Sequence, residues 1–188
     1  MAQQKHIVAL SQINNSFSGA NYLPYSVGLL QIYAQKNLKD VDRFEFLNPL
    51  YKRGKVDEAV KQFSSADLAG FSLYVWNERI SLEIIRRLKE RYPEKLIICG
   101  GPQVPDNAEE FLRKYPDIDV AGHGEGEITF LKLLEAYPSN DWSDIPGISW
   151  IDTSGKLMTH PKSDRIRDLS IIPSPYLEGV FEPLLSLD

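Results

Sequence analysis

Short apolar runs alternate along this chain with longer stretches of helical period. Ile7-Val8-Ala9-Leu10, Phe44-Glu45-Phe46-Leu47, residues 68–75, Leu96-Ile97-Ile98-Cys99 and Val120-Ala121 read as five strands. Between them, apolar residues recur three and four positions apart. Val27, Leu30, Ala34 and Leu38 share one face of a helix opened by Pro24 and Tyr25. Residues 56–63 make a short second helix, and Asn77 is placed to cap a third carrying Ile80, Ile84, Ile85 and Leu88. Residues 107–115 turn Phe111, Leu112 and Tyr115 inward, and residues 127–137 make a fifth helix. Five β-α units of this length predict an α/β fold with a doubly wound, five-stranded parallel sheet in flavodoxin-like order. Right-handed crossovers put every strand C-terminus on one edge, so the loops after Leu10, Val75, Cys99 and Ala121 become neighbours.

The pattern changes after Tyr137. Residues 147–151 and 157–159 flank a turn and read as a β-hairpin. From Pro161 onward the chain carries Pro173, Pro175 and Pro183 with little periodicity, as in an extended arm on another surface. Residues 1–138 are therefore expected to form the α/β domain, 139–160 a hairpin extension, and 161–188 a linker. Phe181, Leu184, Leu185 and Leu187 have no evident core of their own, and the C-terminus reads as a cut edge.

Glycine and small polar residues collect at three strand ends: Gly70-Phe71-Ser72, Gly100-Gly101-Pro102-Gln103 and Gly122-His123-Gly124-Glu125-Gly126. Paired glycines let the backbone turn without a Cβ, and small residues along one sheet edge mark a ligand crevice. Tyr74 and Trp76 stand at the same edge. They alternate with Leu73 and Val75, a spacing that suits core packing and contact with a flat ring equally.

Composition narrows the chemistry. The chain has 188 residues with 26 acidic and 21 basic side chains, and its net charge of −5 argues against nucleic acid as partner. The run Arg86-Arg87-Leu88-Lys89-Glu90-Arg91 falls on a solvated helix face. The one cysteine, Cys99, sits within an apolar strand as inert core, so neither a disulfide nor an iron–sulfur cluster can be built from this chain. No window approaches a membrane span and the first residues lack a signal-peptide core, which together with the cysteine usage points to the cytoplasm. Dinucleotide and Walker fingerprints are both absent, because the first loop holds only Gly19 and no Gly-Lys-Ser/Thr occurs. A phosphoacceptor site fails too, since Ser11, Gln12, Asn14 and Ser72 stand where acidic residues are required. His6 and His160 read as surface residues, and His123 as a residue of the glycine-rich loop.

Taken in order, Asn21-Tyr22-Leu23-Pro24-Tyr25-Ser26-Val27-Gly28-Leu29-Leu30, Gly70-Phe71-Ser72, Gly100-Gly101-Pro102 and Gly124-Glu125-Gly126-Glu127 resemble the N-terminal cobalamin-binding domain of B12-dependent radical SAM proteins. Arg167-Asp168-Leu169 and Ile172-Pro173-Ser174-Pro175-Tyr176-Leu177 are similar to the linker before the radical SAM barrel of that superfamily. The resemblance implies cobalamin lying over the strand C-terminal edge, its nucleotide tail threaded into the sheet. It implies contacts from Ser72, Tyr74, Trp76, Gly100, Gly101, Pro102 and Gln103, with Gly122, Gly124, Glu125 and Gly126 on the opposite side. Glu125 and Glu127 lie beside a helix N-terminus, where capping is as good a role as ligand contact.

Cobalamin domains resembling methionine synthase carry Asp-x-His-x-x-Gly after the first strand, the His ligating cobalt from below. Here that loop reads Ser11-Gln12-Ile13-Asn14-Asn15-Ser16-Phe17-Ser18, without histidine. The resemblance thus implies base-off cobalamin without a His ligand, its lower face meeting water or side chains from this loop or from Tyr74 and Trp76, with Asn14 and Asn15 as candidates in the loop. It also implies a parent methyltransferase in which a missing barrel, linked in cis, holds a 4Fe-4S cluster and S-adenosylmethionine. The alternative is a domain that has lost the cofactor and serves as a docking module; an occluded Gly100-Gly101 crevice would favour it.

Overall fold

Alternation within the strands decides which side of the sheet each residue serves. The computed structural model describes residues 5–185. Its elements run β1 (His6–Ser11), β2 (Ser16–Phe17), β3 (Ala20–Asn21), α1 (Tyr25–Asn37), β4 (Phe44–Phe46), α2 (Val56–Gln62) and β5 (Leu68–Ser72). There follow α3 (Glu78–Arg91), β6 (Leu96–Gly100), α4 (Glu109–Lys114), β7 (Val120–Gly122), α5 (Gly126–Ala136), β8 (Ile148–Ile151), β9 (Leu157–Thr159) and α6 (Glu182–Leu185). The sheet order is β4-β1-β5-β6-β7-β8-β9, and the first five strands are parallel, in the flavodoxin-like arrangement expected.

One core lies on each face. Ala9, Ala69, Phe71, Ile97, Cys99 and Ala121 pack against α2, α3 and α4 through Val60, Ile84, Ile85, Leu88, Phe111 and Leu112. Val8, Leu10, Leu68, Ile98 and Val120 point the other way, to Val27 and Ala34 of α1 and Phe130, Leu133 and Leu134 of α5. Val27, Leu30, Ala34 and Leu38 all serve this second core, as their spacing predicts.

The hairpin does not stand apart. β8 pairs antiparallel with β7, Ala121 opposite Ser149 and Gly122 opposite Ile148, and β9 pairs with β8, so the sheet has seven strands. This covers an edge of the parallel sheet that would otherwise present unpaired backbone groups. Within the expected polar loop after β1, β2 and β3 form a small ribbon turned by Ser18 and Gly19, both at positive φ.

The arm has a core after all. Val180, Phe181 and Leu184 are buried with Ile32 of α1 and Tyr51. Gly28 makes room for this contact, since a Cβ there would lie 2.4 Å from Phe181 Cζ. Leu185 is exposed, and Leu187 lies outside the described residues. His6 and His160 are half-buried, His6 edge-on to Tyr137 and His160 edge-on to Trp150.

Candidate functional site

Three glycines fall in phase at the strand tips. By alternation Gly70, Gly100 and Gly122 face the α1/α5 side, the side of Leu10, Ile98 and Val120. They cut a slot into that layer where the strands end. The resulting cleft of about 510 Å³ is lined by Leu10, Gly70, Ser72, Ile98, Gly100, Gly101, Pro102 and Gly122 from the sheet side. Val27 and Leu30 of α1 and Phe130 and Leu133 of α5 wall it opposite. Tyr74, Gly124, Glu125 and Gly126 stand around its mouth with Asp106.

The glycines do different work. At Gly70 a Cβ would sit 2.8 Å from Leu10 Cδ2, so a side chain there would have to displace the end of Leu10. Gly101 turns at φ +98°, and a Cβ there would lie 2.7 Å from Leu73 O. Gly100 and Gly122 are another matter. A Cβ would meet only Gly122 O at 3.9 Å and Cys99 O at 3.6 Å, respectively, both ordinary contacts. Packing does not demand glycine at these two positions; they leave room.

The floor beside the slot is held by a chain of side-chain hydrogen bonds. Gln12 Oε1 accepts from Ser26 N at 2.9 Å, and Ser26 Oγ shares a hydrogen bond of 2.9 Å with Tyr74 OH. Gln12 Nε2 donates to Asn14 Oδ1 at 3.4 Å, while Asn14 Nδ2 donates to Tyr22 O and Leu23 O at 3.1 and 3.2 Å. Tyr74 in turn stacks on Trp76, ring centres 4.6 Å apart at 13°. Arg53 donates to Trp76 O from the far side.

Asn77 was expected as a helix cap, and its side chain makes no cap hydrogen bond. It is wholly buried instead, accepting from Tyr74 N at 2.8 Å and donating to Ile13 O and Ser72 O at 3.0 Å each. One amide thereby ties the β1 loop to the β5 tip. The third strand accordingly ends at Ser72, short of Val75, because residues after Leu73 turn to meet Asn77. A buried asparagine at a strand tip is the only sequence signal for this tie, and the cap reading hid it.

Of the residues singled out from sequence, Ser72, Tyr74, Gly100, Gly101, Pro102, Gly122, Gly124, Glu125 and Gly126 line the cleft. Asn14, Asn15, Trp76 and Gln103 do not. Asn14 has its amide committed to protein, Asn15 is exposed, and Gln103 donates its backbone N–H to Leu73 O. Glu125 occupies the α5 cap position without capping; its Oε2 accepts from Ile166 N at 2.9 Å and so fastens the arm across the loop. Lys162 adds a second tether, 2.6 Å from Asp106.

His123 is buried, its Nε2 2.8 Å from Ser149 Oγ and its Nδ1 without a partner among the described residues. Ser149 pairs with Ala121 and shares its face, so this contact lies on the opposite side of the sheet from the slot. Burial holds the imidazole below its ordinary pKa. Cys99 also faces away from the slot, and burial pushes its thiol well above the usual range, so it is no nucleophile here.

Comparison with known proteins agrees with this geometry. Residues 7–134 match the B12 binding domain family. The cobalamin-dependent radical SAM methyltransferase TokK of Streptomyces tokunonensis is 36% identical over 171 residues, 88% of this chain and 25% of TokK. The 2-(S-pantetheinyl)-carbapenam-3-carboxylate methyltransferase of Streptantibioticus cattleyicolor is 34% identical over the same shares. The cobalamin-dependent S-adenosylmethionine radical enzyme OxsB, solved with aqua-cobalamin and S-adenosylmethionine, superposes with a TM-score of 0.71. That match has 19% identity and covers 97% of this chain and 26% of OxsB. The chain thus spans about a quarter of the length of these relatives. A flavodoxin-ordered sheet notched by in-phase glycines, matched to one family across the whole α/β layer, assigns the protein: it belongs to the B12-binding domain family, with homology to the domains of cobalamin-dependent radical SAM methyltransferases.

Proposed function

We propose that this chain holds cobalamin base-off, its nucleotide tail in the slot between the sheet and helices α1 and α5. The supporting observation is the room left at Gly100 and Gly122, where a side chain would fit and none is present. An apolar cleft of about 510 Å³ with few polar groups at its mouth is the form a cofactor site takes. The docking-module alternative called for an occluded crevice. Gln103 and Trp76 do not line the cleft, and Tyr74 stands at its mouth without closing it.

The loop after β1 supports binding without a protein ligand to the metal. It has no histidine, and the amides of Gln12 and Asn14 are committed to Ser26, Tyr22 and Leu23. Tyr74 and Trp76, already stacked, offer a flat apolar surface beside it and exclude water there. Cobalamin, when bound, supplies a carrier for a methyl group, and a weak lower ligand tunes how readily that group leaves. What this chain's residues do is bind the tail, orient the ring and dry its lower side.

In the parent protein the domain would serve a radical SAM methyltransferase in the cytoplasm. Residues 161–188 would lead toward the barrel that carries the 4Fe-4S cluster and S-adenosylmethionine, with residues 1–138 as the cofactor domain and 139–160 as its hairpin extension. The test is a titration of the full chain with hydroxocobalamin and methylcobalamin, followed by desalting and visible absorption. Retention with a base-off spectrum is expected. Absence of any retained corrinoid would overturn the reading, and a base-on spectrum would overturn its base-off part.

A further inference from the structure

A helix that packs on one side carries one apolar stripe, and α1 carries two. Val27, Leu30 and Ala34 form the stripe that serves the sheet-side core. At about 100° per residue, Tyr25, Gly28, Ile32 and Lys36 align on the opposite side of the helix. The arm covers this second stripe. Phe181, 2% exposed, fits against Gly28, where a Cβ would lie 2.4 Å from its Cζ and 3.2 Å from Pro175 Cβ. Ile32 packs with Val180, Phe181 and Leu184. Tyr25 stacks on Tyr176 at 6.0 Å, Tyr176 meets Phe181 edge-on, and Lys36 pairs with Glu178 at 2.6 Å.

The two stripes meet unequal support. The first two turns of α1 give Ser26, Val27 and Leu30 to the cleft wall, opposite the strand tips that carry Gly70, Gly100 and Gly122. Side chains over a cleft of about 510 Å³ lack partner atoms on that side. No side chain caps the helix start through a hydrogen bond either. Gln12 on Ser26 N and Tyr74 on Ser26 Oγ hold these turns from the sheet. Behind them Tyr176 and Phe181 press on the same turns, at Tyr25 and Gly28.

We propose that Phe181 is a positioning residue of the slot. Keyed into Gly28, it holds the first turns of α1 at the spacing from the sheet that the cofactor requires, so arm docking and cofactor binding strengthen each other. A ligand in the slot braces α1 from within and keeps the Gly28 notch in place for Phe181. The arm has two arrangements, docked and released, and α1 is the body that both contacts share. Coupling of this kind is reciprocal: the factor by which arm release weakens binding is the factor by which bound ligand opposes arm release. A pull on the arm is a pull on the slot.

This inference rests on the proposed cobalamin reading, and its test separates the two. Hydroxocobalamin affinity is measured by calorimetry on the full chain, on Gly28→Ala and on Phe181→Ala, neither of which alters a residue lining the cleft. The first variant crowds the ring out of its notch, and the second removes the ring. Both should bind about fivefold more weakly or worse. Hydrogen exchange of the unmodified chain gives the reciprocal reading. Saturating hydroxocobalamin should slow exchange across residues 176–185 by the same factor, with the turn at residues 152–156 unaffected. Without corrinoid, both variants should exchange faster than the unmodified chain at residues 30–33 of α1. Unmodified affinity in Phe181→Ala overturns the inference and leaves the cofactor reading standing; so does an arm whose exchange ignores the ligand. Weaker binding with unchanged exchange at residues 30–33 also overturns it, because Phe181 then acts otherwise than through α1. If the unmodified chain binds no hydroxocobalamin, the cofactor reading fails and the coupling with it.

Discussion

Replacing Gly122 by valine should improve the fold and abolish the site. The new Cβ would lie 3.6 Å from Cys99 O, an ordinary contact, and φ at this position is not in the left-handed region. Glycine inside a strand costs about 0.5–1 kcal/mol in backbone entropy relative to alanine, and valine suits a strand well. For a chain of this size that gain raises the melting temperature by roughly 1–4 °C. The valine methyls point into the slot, in phase with Gly70 and Gly100. If they deny the tail about 100 Å² of apolar ring contact, the loss at about 25 cal/mol/Å² is about 2.5 kcal/mol. Dissociation constants change tenfold per 1.4 kcal/mol, so cobalamin should bind about 60-fold more weakly. Calorimetry for affinity and circular dichroism for melting measure the two effects on the same sample. Gly101→Ala is the contrasting variant, with φ +98° and a Cβ 2.7 Å from Leu73 O; it should lower the melting temperature. A Gly122→Val protein that binds cobalamin as the unmodified chain does would refute the slot. One that melts several degrees lower would refute the claim that the room there is unused.

Asn77→Ala removes three hydrogen bonds from a wholly buried position and leaves Tyr74 N, Ile13 O and Ser72 O unpaired. A loss of about 3 kcal/mol is expected, a drop of roughly 6–12 °C in melting temperature, together with weaker cobalamin binding. His123 gives a pH dependence. Burial favours its neutral form, so the unfolded chain binds more protons below about 6.5 and stability should fall as pH drops below that value. Urea midpoints at pH 7.5 and 5.5 should differ, and His123→Gln should shrink the difference; an unchanged difference would clear His123 of the effect. Gly28→Ala places a methyl 2.4 Å from Phe181 Cζ and should release the arm. Limited proteolysis within residues 175–185 should then accelerate, and cleavage at the unmodified rate would show that Phe181 is not held there.

Sheet order, helix faces and the collection of glycines at one edge were legible because each depends on local periodicity. The two-residue period of β5, β6 and β7 even contains the phase of Gly70, Gly100 and Gly122, although which phase faces which helices emerges only from the crossovers. Roles that depend on partners distant in sequence were not legible. Asn77 looks like a cap because its neighbours start a helix; its actual partner Ile13 lies 64 residues away. Glu125 likewise sits at a helix start and spends its carboxylate on Ile166, 41 residues on. The hairpin was visible as a hairpin, but its pairing with β7 is a tertiary choice driven by the exposed edge. Phe181 seemed to lack a core because the space for it is an absence, the missing side chain of Gly28 on another helix.

The two ends of the sheet are built on opposite principles. At the N-terminal ends, side chains saturate the backbone. Asp67 Oδ2 accepts from Ile7 N at 2.7 Å, and Asp119 Oδ2 accepts from Ile97 N at 2.6 Å while pairing with Lys89 at 2.8 Å. Lys95, buried and held below its ordinary pKa by desolvation, donates to Ser64 O and Ala66 O. At the C-terminal ends the sequence withholds side chains, and at Gly100 and Gly122 it does so where packing would have admitted them. A side chain added at either place would bury apolar surface in a layer already walled by Phe130 and Leu133, and stability alone would favour it. Forgone stability at a strand tip, beside a loop fastened by Asn77, Gln12 and Ser26, is the expected mark of a site shaped for a ligand. The rigid end sets the register of the strands, and that register brings the open end's three glycines into one slot.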